Sequence, residues 1–389
     1  MNKILTLNNI AAVGLDRLPH DNYEIASEIQ HPDAILLRSY KMHDMEIPET
    51  LKAVGRAGAG VNNIPVDKMT AQGIPVFNAP GANANAVKEL VIASMLMASR
   101  NIGQAWDYAK NLEGDDGMIA KDVEAGKKKY VGFELPGRTL GVIGLGAIGV
   151  QIANAAISLG MKVVGYDPTM TIQSAWNLSA EAVRAHSVEE LLSESDFITF
   201  HVPLIDATRN MINADRLKIM KDNVVIMNFA RGGIVDDTAV LEALDSGKVY
   251  AYINDFPTNE NKNHPRVVCL PHLGASTAEA EDNCAIMVAD QVKDYLENGN
   301  ITNSVNFPEM KMPRTGGARI AVANSNVPNM VGQITSLLAG SGINIGDMMN
   351  KSRDDIAYNL LDVEGEVGEG VVEKIQEIDE IGRASCRER

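Results

Sequence analysis

The chain has 389 residues, of which 45% are hydrophobic and 22% charged, and its formal net charge is −16 at pH 7. This length predicts two or three domains, and the composition is typical of a soluble globular protein. The acidic balance argues against nucleic acid as a partner, because nucleic acid requires a basic surface. It does not exclude a small anionic substrate, since a few local arginines can bind one.

The three cysteines, Cys269, Cys284 and Cys386, are widely separated and lack the spacing of metal ligands. We therefore expect no metal site, no disulfide framework and a cytoplasmic location. The first residues do not resemble a signal peptide. No apolar run approaches the length of a membrane span, so a membrane partner is not expected.

Residues 1–97 alternate between short apolar runs and polar or helical stretches, which is typical of a parallel α/β sheet. The predicted strands cover residues 4–7, 34–37, 53–57 and 74–77. Arg38 and Ser39 follow the second strand, and Arg56 lies in the third. Because open α/β sheets bind ligands at the carboxyl ends of their strands, these are candidate substrate contacts. The alternative is that both arginines are ordinary surface or ion-paired residues.

A long helix is predicted over residues 86–100, with Asn85 as its cap. It is apolar on most sides, which indicates a buried helix. Residues 101–138 are more polar and less regular. They contain the basic run at residues 127–129, which is more typical of a solvated loop than of a phosphate contact.

The most informative stretch is Gly144-x-Gly146-x-x-Gly149, which follows an apolar strand and opens an apolar helix. The first glycine permits a tight turn, the second lets the backbone approach a pyrophosphate, and the third lets helix and strand pack closely. The pyrophosphate is expected at the helix N-terminus, beside Ala147 and Ile148, where free N–H groups favour anions. A purely structural turn is the alternative for the glycines alone.

Asp167 indicates which dinucleotide would bind. It ends the next predicted strand, at about the 20-residue spacing where dinucleotide-binding folds place a carboxylate on the adenosine ribose. A carboxylate repels the 2′-phosphate of NADP, and no arginine follows closely. The sequence therefore predicts NAD rather than NADP.

Beyond Asp167 the pattern of a dinucleotide-binding domain continues. Further strands are predicted over residues 196–203, 223–228, 249–255 and 267–270. Asp236 is the expected cap of a helix over residues 237–244.

Ser276 and Glu279 form a capping box before a helix that runs to about residue 296. That helix is expected to return the chain to the first domain. We therefore predict a NAD-binding domain at residues 98–281, inserted into a substrate-binding domain formed by residues 1–97 and 282–307.

The last part of the chain is predicted to form a separate module. Proline and glycine in residues 308–318 indicate a linker. Residues 319–381 then follow the order βαββα, which fits a small ferredoxin-like module. Residues 382–389 are polar and lack strand alternation. We interpret them as a truncated or foreign tail, so the module is expected to lack its last strand.

Over residues 1–307 the chain resembles the D-isomer-specific 2-hydroxyacid dehydrogenases. The resemblance rests on four sequence features: Gly144-x-Gly146-x-x-Gly149, Asp167, Ala230-Arg231-Gly-Gly and Pro271-His272-Leu-Gly-Ala-Ser. The resemblance implies a Rossmann NAD-binding domain inserted in a flavodoxin-like substrate-binding domain. The module at residues 319–381 resembles an ACT domain.

The resemblance also implies a reaction, in which a hydride leaves C2 of a 2-hydroxy acid for NAD and the hydroxyl loses a proton. His272 is the expected base, because imidazole titrates near working pH. Arg231 is expected to bind the substrate carboxylate through its planar fork. The alternatives are a structural histidine and an arginine paired with Asp236 or Asp237.

Individual contacts are carried over from the family. Those expected to contact NAD are Gly144, Gly146, Ala147, Ile148, Gly149, Asp167, Val202, Pro203, Ala230, Arg231, Asp255, His272, Gly274 and Ala275. Those expected to contact the substrate are Arg38, Ser39, Arg56, Gly58, Gly60, Val61, Asn62 and Asn83.

The chain departs from the family where the histidine should find its carboxylate partner. The family reads Asp-Val-Phe-x-x-Glu-Pro, whereas here the sequence from Asn254 is Asn-Asp-Phe-Pro-Thr-Asn-Glu. Aligned on Phe256, the glutamate falls on Asn259, and Glu260 comes one residue later. We assign the partner role to Glu260; an asparagine or another acid is the alternative. The acid expected near the nicotinamide is assigned to Asp255.

The two modules together imply 3-phosphoglycerate as the substrate, with Arg38 and Arg56 as candidate phosphate ligands. Glycerate, lactate and erythronate 4-phosphate are alternative substrates. A non-catalytic, NAD-sensing binding protein is the alternative from another class. The resemblance further implies a homodimer, with residues 101–138 as the dimer arm, or a homotetramer paired through the ACT-like modules.

An L-serine effector is the expectation for the ACT-like module. Asn326 and Asn344 match asparagines that hold serine in regulated family members, and Asn324 stands where those proteins have a histidine. The alternative is that these asparagines only cap and turn the chain.

Overall fold

The computed structural model describes residues 1–315, 317–368 and 370–387. The chain forms two compact units, and one is inserted in the other. The first unit joins Met1–Ala82 to the chain from Glu281 onward, and the second is Asn83–Ala280. In the part of the chain that the structure describes, no helix combines the length and the apolar character needed to cross a membrane.

A five-stranded parallel sheet begins the first unit. Its elements are β1 (Asn2–Leu7), α1 (Ala12–Leu15), β2 (Tyr23–Ala26), β3 (Ala34–Leu37), β4 (Ala53–Arg56), α2 (Val66–Ala71) and β5 (Val76–Asn78). The strand order β2-β1-β3-β4-β5 is the flavodoxin-like arrangement that the sequence predicts. The prediction lacks β2, because this short edge strand contains no continuous apolar run.

The second unit contains a seven-stranded sheet with helices. Its first elements are α3 (Ala84–Ser99), α4 (Ile102–Lys110), α5 (Asp116–Gly126), a 3₁₀ helix (Lys127–Tyr130), β6 (Thr139–Ile143), α6 (Ala147–Ser158), β7 (Lys162–Tyr166), α7 (Ile172–Asn177) and β8 (Val183–Arg184). The remaining elements are α8 (Val188–Glu194), β9 (Phe197–Phe200), α9 (Ala214–Ile219), β10 (Val224–Asn228), α10 (Asp237–Asp245), β11 (Val249–Asn254) and β12 (Val267–Cys269).

The strands of this sheet are parallel and follow the order β12-β11-β10-β9-β6-β7-β8. This is the Rossmann order with one additional edge strand, so the predicted fold is confirmed. The central strands β9 and β10 are buried along their whole length. Their continuous apolar runs are typical of a parallel sheet with helices on both faces.

Three local predictions in this unit are wrong. Residues 101–138 contain two α-helices and a 3₁₀ helix, although they are polar. The helix α3 lies wholly in the second unit, so the boundary expected at residue 97 is too late. Its Val87, Val91 and Met95 pack into the core of that unit. Asn85 is not the cap but lies inside α3, where its amide donates to Glu89.

The helix caps agree in part with the sequence. Asp236 accepts a hydrogen bond from the Ala239 N–H, as predicted for the cap of α10. The cap before α11 (Ala278–Asn298) is different, because the Thr277 hydroxyl, rather than that of Ser276, accepts the bond from the Ala280 N–H. The helix therefore begins one residue later than the capping box predicts.

The C-terminal module is an antiparallel sheet with two helices. Its elements are β13 (Ala318–Ser325), α12 (Met330–Gly340), β14 (Ile345–Arg353), β15 (Ile356–Val363), α13 (Val371–Gln376) and β16 (Ile381–Arg387). The strand order is β14-β15-β13-β16. The order of elements along the chain, βαββαβ, is that of a ferredoxin-like fold.

The expectation that this module lacks its last strand is wrong. Residues that we assigned to an unstructured tail form β16, which pairs with β13. Ala384 and Cys386 pack partly against the core of the module, so a weak alternation of small side chains is present. Residues 388–389 of the predicted tail lie outside the described part of the chain.

A buried arginine joins the module to the segment predicted as a linker. Arg319 and Asp362 are both almost fully buried and pair through two hydrogen bonds of 2.5 and 2.8 Å. Arg319 also donates to the carbonyls of Met312 and Pro313. Burial raises the pKa of Asp362, but hydrogen bonds from Arg319 and Thr315 outweigh it and hold the pKa below its usual range. The linker is therefore packed in place.

Candidate active site

The predicted NAD contacts share one location, the carboxyl ends of the strands in the second sheet. They are residues 144–149 after β6, Asp167 after β7, Val202 and Pro203 after β9, Ala230 and Arg231 after β10, Asp255 after β11, and His272, Gly274 and Ala275 after β12. Parallel strands place their carboxyl ends at one edge, so these segments line a single edge of the sheet. The strand order reverses between β6 and β9, where open α/β sheets bind ligands.

The glycine-rich turn has the geometry that a pyrophosphate requires. Gly144 has φ +91°, and a Cβ there would lie 2.5 Å from the His201 carbonyl oxygen. A Cβ on Gly149 would lie 1.9 Å from the Gly144 carbonyl oxygen. Gly146, by contrast, has no atom within 4 Å of the position of a Cβ. The turn is therefore tight at two glycines and open at the third, at the amino end of α6, where an anion is favoured.

This difference predicts separate effects for two alanine substitutions. Gly149→Ala forces backbone apart and should lower stability by about 1–3 kcal/mol, as overpacking does, and also weaken NAD binding. In Gly146→Ala the added methyl group meets nothing in the protein, so the melting temperature of this variant should stay unchanged. The methyl group should instead obstruct the pyrophosphate, so the affinity for NAD should fall at least about tenfold. Calorimetric titration with NAD and thermal melting measure both. Equal melting temperatures for the two variants would contradict the packing argument.

The Asp167 carboxylate is fixed between two loops. One oxygen accepts the Leu145 N–H at 2.8 Å, and the other accepts the Thr169 N–H at 2.8 Å and its hydroxyl at 3.1 Å. The residue thus braces the glycine-rich turn while its partly exposed side chain remains able to accept from a ribose hydroxyl. Together with the open position at Gly146, these residues fit a bound NAD.

The loop that carries Arg231 is held by a buried asparagine. Asn228 is 1% exposed; its amide donates to the Arg231 carbonyl at 2.8 Å and accepts from the Ala230 N–H at 3.2 Å. The Arg231 side chain is exposed, and its guanidinium donates to the Ala230 carbonyl at 2.6 Å. Among the described residues it forms no ion pair with Asp236 or Asp237, which are bonded to other groups. The exposed guanidinium of Arg231 is therefore available to bind an anion.

His272 is exposed and has an unusual backbone conformation. Its φ is +56°, in the left-handed region, which histidine enters more readily than most residues. The Phe256 ring meets the imidazole edge to face, with 5.2 Å between the ring centroids. Two residues further on, the Gly274 N–H donates to the Asp255 carboxylate at 2.8 Å. The imidazole is thus held at the sheet edge and left open to solvent.

A second histidine follows β9, but it is a poor candidate for the base. The His201 ring lies 2.9 Å from the Thr199 hydroxyl. Burial lowers the pKa of His201 to about 3. A group with so low a pKa accepts a proton weakly near neutral pH, so His272 is the better placed base at this edge.

The structure does not place Glu260 against His272. The Glu260 side chain is exposed and, within the described residues, makes no hydrogen bond or ion pair with the histidine. Asn259, which occupies the glutamate position of the family, is also exposed and accepts from Lys262 at 3.0 Å. The departure from the family sequence is therefore accompanied by a different local arrangement.

The predicted substrate contacts of the first unit follow β3 and β4. Arg38 forms an ion pair with Glu281, 2.6 Å between the charged atoms. The Arg56 Nε donates to the Arg38 carbonyl at 3.0 Å. A Cβ on Gly58 would lie 2.1 Å from the Arg56 guanidinium, so a side chain at this position would displace that guanidinium. The two arginines therefore lie side by side.

The other predicted substrate contacts occupy loops. Ser39 donates its N–H to the Asn8 side chain at 3.1 Å. Gly60, Val61 and Asn62 lie in the loop between β4 and α2. Asn83 precedes α3 in the second unit, and its side-chain oxygen is buried without a hydrogen-bond partner among the described residues.

Sequence reasoning missed two asparagines that hold these loops. Asn8, with φ +72°, accepts the N–H groups of Ser39 and Tyr40. Asn228 holds the Arg231 loop. Each follows or ends an apolar strand. A polar amide at the end of such a run is a signal that could have identified both.

The three asparagines predicted to bind serine do not come together within one chain. Asn324 is 1% exposed, and its oxygen accepts from Asn359 at 2.8 Å. Asn326 follows the carboxyl end of β13, where Asn324 also lies, and its side chain donates to the Asp354 carbonyl. Asn344 donates to Glu364, near the opposite end of the sheet, where Ala318 pairs with Val363.

Comparison with known proteins identifies the class. Residues 92–274 match the family described as D-isomer specific 2-hydroxyacid dehydrogenase, NAD binding domain. D-3-phosphoglycerate dehydrogenase of Haemophilus influenzae is 35% identical over 94% of this chain and 88% of its own length. The chain therefore belongs to the D-isomer-specific 2-hydroxyacid dehydrogenases, and its Rossmann domain is a NAD-binding domain.

A second relative and a solved structure are also 3-phosphoglycerate dehydrogenases. D-3-phosphoglycerate dehydrogenase of Methanocaldococcus jannaschii is 39% identical over 75% of this chain, which spans 55% of that protein. The NAD⁺-bound structure of 3-phosphoglycerate dehydrogenase from Entamoeba histolytica superimposes with a TM-score of 0.62 and 25% identity. It covers 79% of this chain and 99% of its own. The chain thus spans only about half of some relatives and most of others.

Proposed function

We propose that this protein oxidises D-3-phosphoglycerate to 3-phosphohydroxypyruvate with NAD, the first step of phosphorylated L-serine biosynthesis. The observation that carries the proposal is that two exposed residues follow strands at one edge of a NAD-binding sheet: Arg231, which has no ion-pair partner among the described residues, and His272. Similarity to D-3-phosphoglycerate dehydrogenases over most of the chain supports the choice of substrate.

Each residue has a chemical task in this proposal. NAD, when bound, supplies the hydride acceptor. Arg231 binds the substrate carboxylate through two parallel N–H groups, which fixes C2 and stabilises charge on the developing carbonyl. His272 takes the hydroxyl proton at its imidazole nitrogen and returns it in the reverse direction. On the resemblance, Glu260 is the acid that supports His272.

Consumption of NADH with 3-phosphohydroxypyruvate tests the proposal. We expect turnover with this 2-oxo acid to exceed that with hydroxypyruvate, its unphosphorylated counterpart, and with pyruvate. A preference for an unphosphorylated acid would replace phosphoglycerate with glycerate or lactate as the substrate. Inactivity with every 2-oxo acid, despite NAD binding, would favour the non-catalytic binding role.

Arg38→Gln tests the phosphate site. The substitution retains hydrogen bonding but removes the charge next to Arg56 and leaves Glu281 without its ion-pair partner. Because charge-assisted contacts to phosphate are strong, the KM for 3-phosphoglycerate should rise at least about tenfold, and the KM for glycerate much less. Steady-state kinetics with both substrates measures the difference. Equal losses with the two would argue against a phosphate at this position.

Serine regulation is the further part of the proposal. We infer that pairing of two ACT-like modules would bring Asn326 of one chain towards Asn344 of another, since one chain holds them at opposite ends of its sheet. Calorimetric titration of the full chain with L-serine, together with the NADH assay, tests it. An absence of heat and of inhibition would remove serine as an effector. A cytoplasmic homodimer or homotetramer is part of this proposal, and light scattering measures its mass.

A further inference from the structure

A carboxylate already contacts one of the two candidate phosphate ligands. Glu281 lies in the first turn of α11, and its carboxylate is 2.6 Å from Nη1 of Arg38. Among the described residues, the Arg38 guanidinium forms no second ion pair and donates no hydrogen bond. One N–H group of Arg38 is therefore engaged by Glu281, and the others are open to a ligand.

This ion pair is not a buried structural contact. The side chain of Arg38 is 36% exposed and that of Glu281 is 46% exposed. Exposed pairs contribute little to stability, because water and salt screen the charges and two long side chains must be ordered. The pair can therefore open at low cost when a stronger anion binds to the arginine.

A second arginine makes this corner attractive to an anion. Arg56 ends β4, opposite Leu37 of β3, and its Nε donates to the Arg38 carbonyl at 3.0 Å. Cys284 lies one turn after Glu281 on α11. Burial raises the pKa of its thiol, which Arg38 and Arg56 lower and Glu281 raises further. The three charges therefore act on one place, and two of them are positive.

These charges are balanced differently with and without a ligand. In the empty site, Glu281 offsets one of two neighbouring positive charges. A phosphate monoester carries up to two negative charges and three acceptor oxygens, so it can offset both. A ligand that lacks a phosphate offers nothing in place of the carboxylate and leaves the ion pair intact.

We propose that Glu281 is a specificity-determining residue that competes with the substrate phosphate for Arg38. In the empty site it pairs with the arginine, and the phosphate dianion displaces it. The proposal rests on the function proposed above and concerns the phosphate end of the same substrate. A monovalent anion attracts a guanidinium less strongly than a dianion does, so the carboxylate excludes monovalent anions of the solvent.

The alternative role of Glu281 is to orient Arg38. A carboxylate that only holds the guanidinium in place would strengthen phosphate binding, and its removal would weaken that binding. A competing carboxylate has the reverse effect. The two roles therefore predict opposite signs for one substitution.

Glu281→Gln removes the charge and keeps the length and shape of the side chain. In a calorimetric titration at about pH 8, where inorganic phosphate is mostly dianionic, the dissociation constant for phosphate should fall about fivefold, the upper end of what an exposed ion pair contributes. The KM for 3-phosphoglycerate should fall by a similar factor, while the KM for glycerate stays within about 1.5-fold of the parent. Inhibition by chloride should become stronger, because the competing carboxylate is gone.

Asp290→Asn is the matched control. Asp290 lies on the same helix and pairs with Arg17 at 2.8 Å, and both side chains are about as exposed as those of the first pair. The substitution removes the same charge from an ion pair that includes neither candidate phosphate ligand. It should leave the affinity for phosphate unchanged, so a change shared by both variants would report only the net charge of the protein.

A double variant tests whether Glu281 acts through Arg38. In the Arg38→Gln background, Glu281→Gln should have little further effect on the KM for 3-phosphoglycerate, because the group for which the carboxylate competes is absent. An undiminished effect in that background would assign the role of Glu281 to some other group and overturn the proposal.

The outcomes separate this proposal from the proposed function. Tighter phosphate binding in Glu281→Gln, absent in Asp290→Asn, supports competition by Glu281 even if no 2-oxo acid is turned over. Weaker phosphate binding in Glu281→Gln would overturn it in favour of the orienting role. Equal constants in parent and variant, or no phosphate binding by the parent, would also overturn it, whatever the activity with 3-phosphohydroxypyruvate.

Discussion

His272→Asn should lower kcat for oxidation of 3-phosphoglycerate by about 10²–10⁴-fold, the usual contribution of a positioned general base. Asparagine suits this test because it also tolerates the left-handed backbone that His272 adopts at φ +56°. The fold and the NAD contacts should therefore survive while the titrating group is lost. Single-turnover kinetics and calorimetric titration with NAD separate these effects.

His31→Asn provides a control for the same substitution. His31 also has a left-handed backbone, with φ +55°, and is also exposed, but it lies between β2 and β3, three residues before the amino end of β3. This variant should retain the parent kcat. If His272→Asn bound NAD normally and kept kcat within about fivefold, a base of the usual strength could not be His272.

Arg231→Lys should lower kcat/KM by about 100-fold, even though the positive charge is retained. The guanidinium presents two parallel donors that match a carboxylate, whereas an ammonium is a point charge on a flexible stem. The loss should appear in both kcat and KM, because the carboxylate is held in the ground state and its neighbouring carbonyl becomes more polar in the transition state. Steady-state kinetics in both directions measures it.

A comparison with Arg184→Lys isolates the role of geometry. Arg184 is an exposed arginine on β8, the edge strand of the same sheet, and its replacement should leave kcat/KM unchanged. Arg231→Gln should lose more than Arg231→Lys, since it removes the charge as well. Full activity of Arg231→Lys would show that a point charge suffices and that the fork is not used.

The sequence predicts those parts of the fold that follow from local periodicity. The buried strand β3 matches its predicted bounds, because an uninterrupted apolar run specifies it locally. The edge strands β2 and β16 were not predicted. Each is stabilised mainly by pairing with a partner distant in sequence, β1 or β13, and its own side chains carry a weak pattern.

The candidate site divides in the same way. Arg231 and His272 can be predicted because each stands in a sequence motif directly after a strand. The bond between Asp255 and Gly274 cannot, since it links two loops whose proximity depends on the pairing of β11 with β12. Alignment alone therefore selects Glu260 as the partner of the histidine.

The left-handed backbone at His272 also affects how this protein can be stabilised. A side chain in that conformation costs about 1–2 kcal/mol relative to glycine. Selection for thermal resistance alone would therefore favour glycine at this position and discard the base. Libraries designed to raise the melting temperature should keep residue 272 constant and seek their gains elsewhere, because here thermostability and turnover are in conflict.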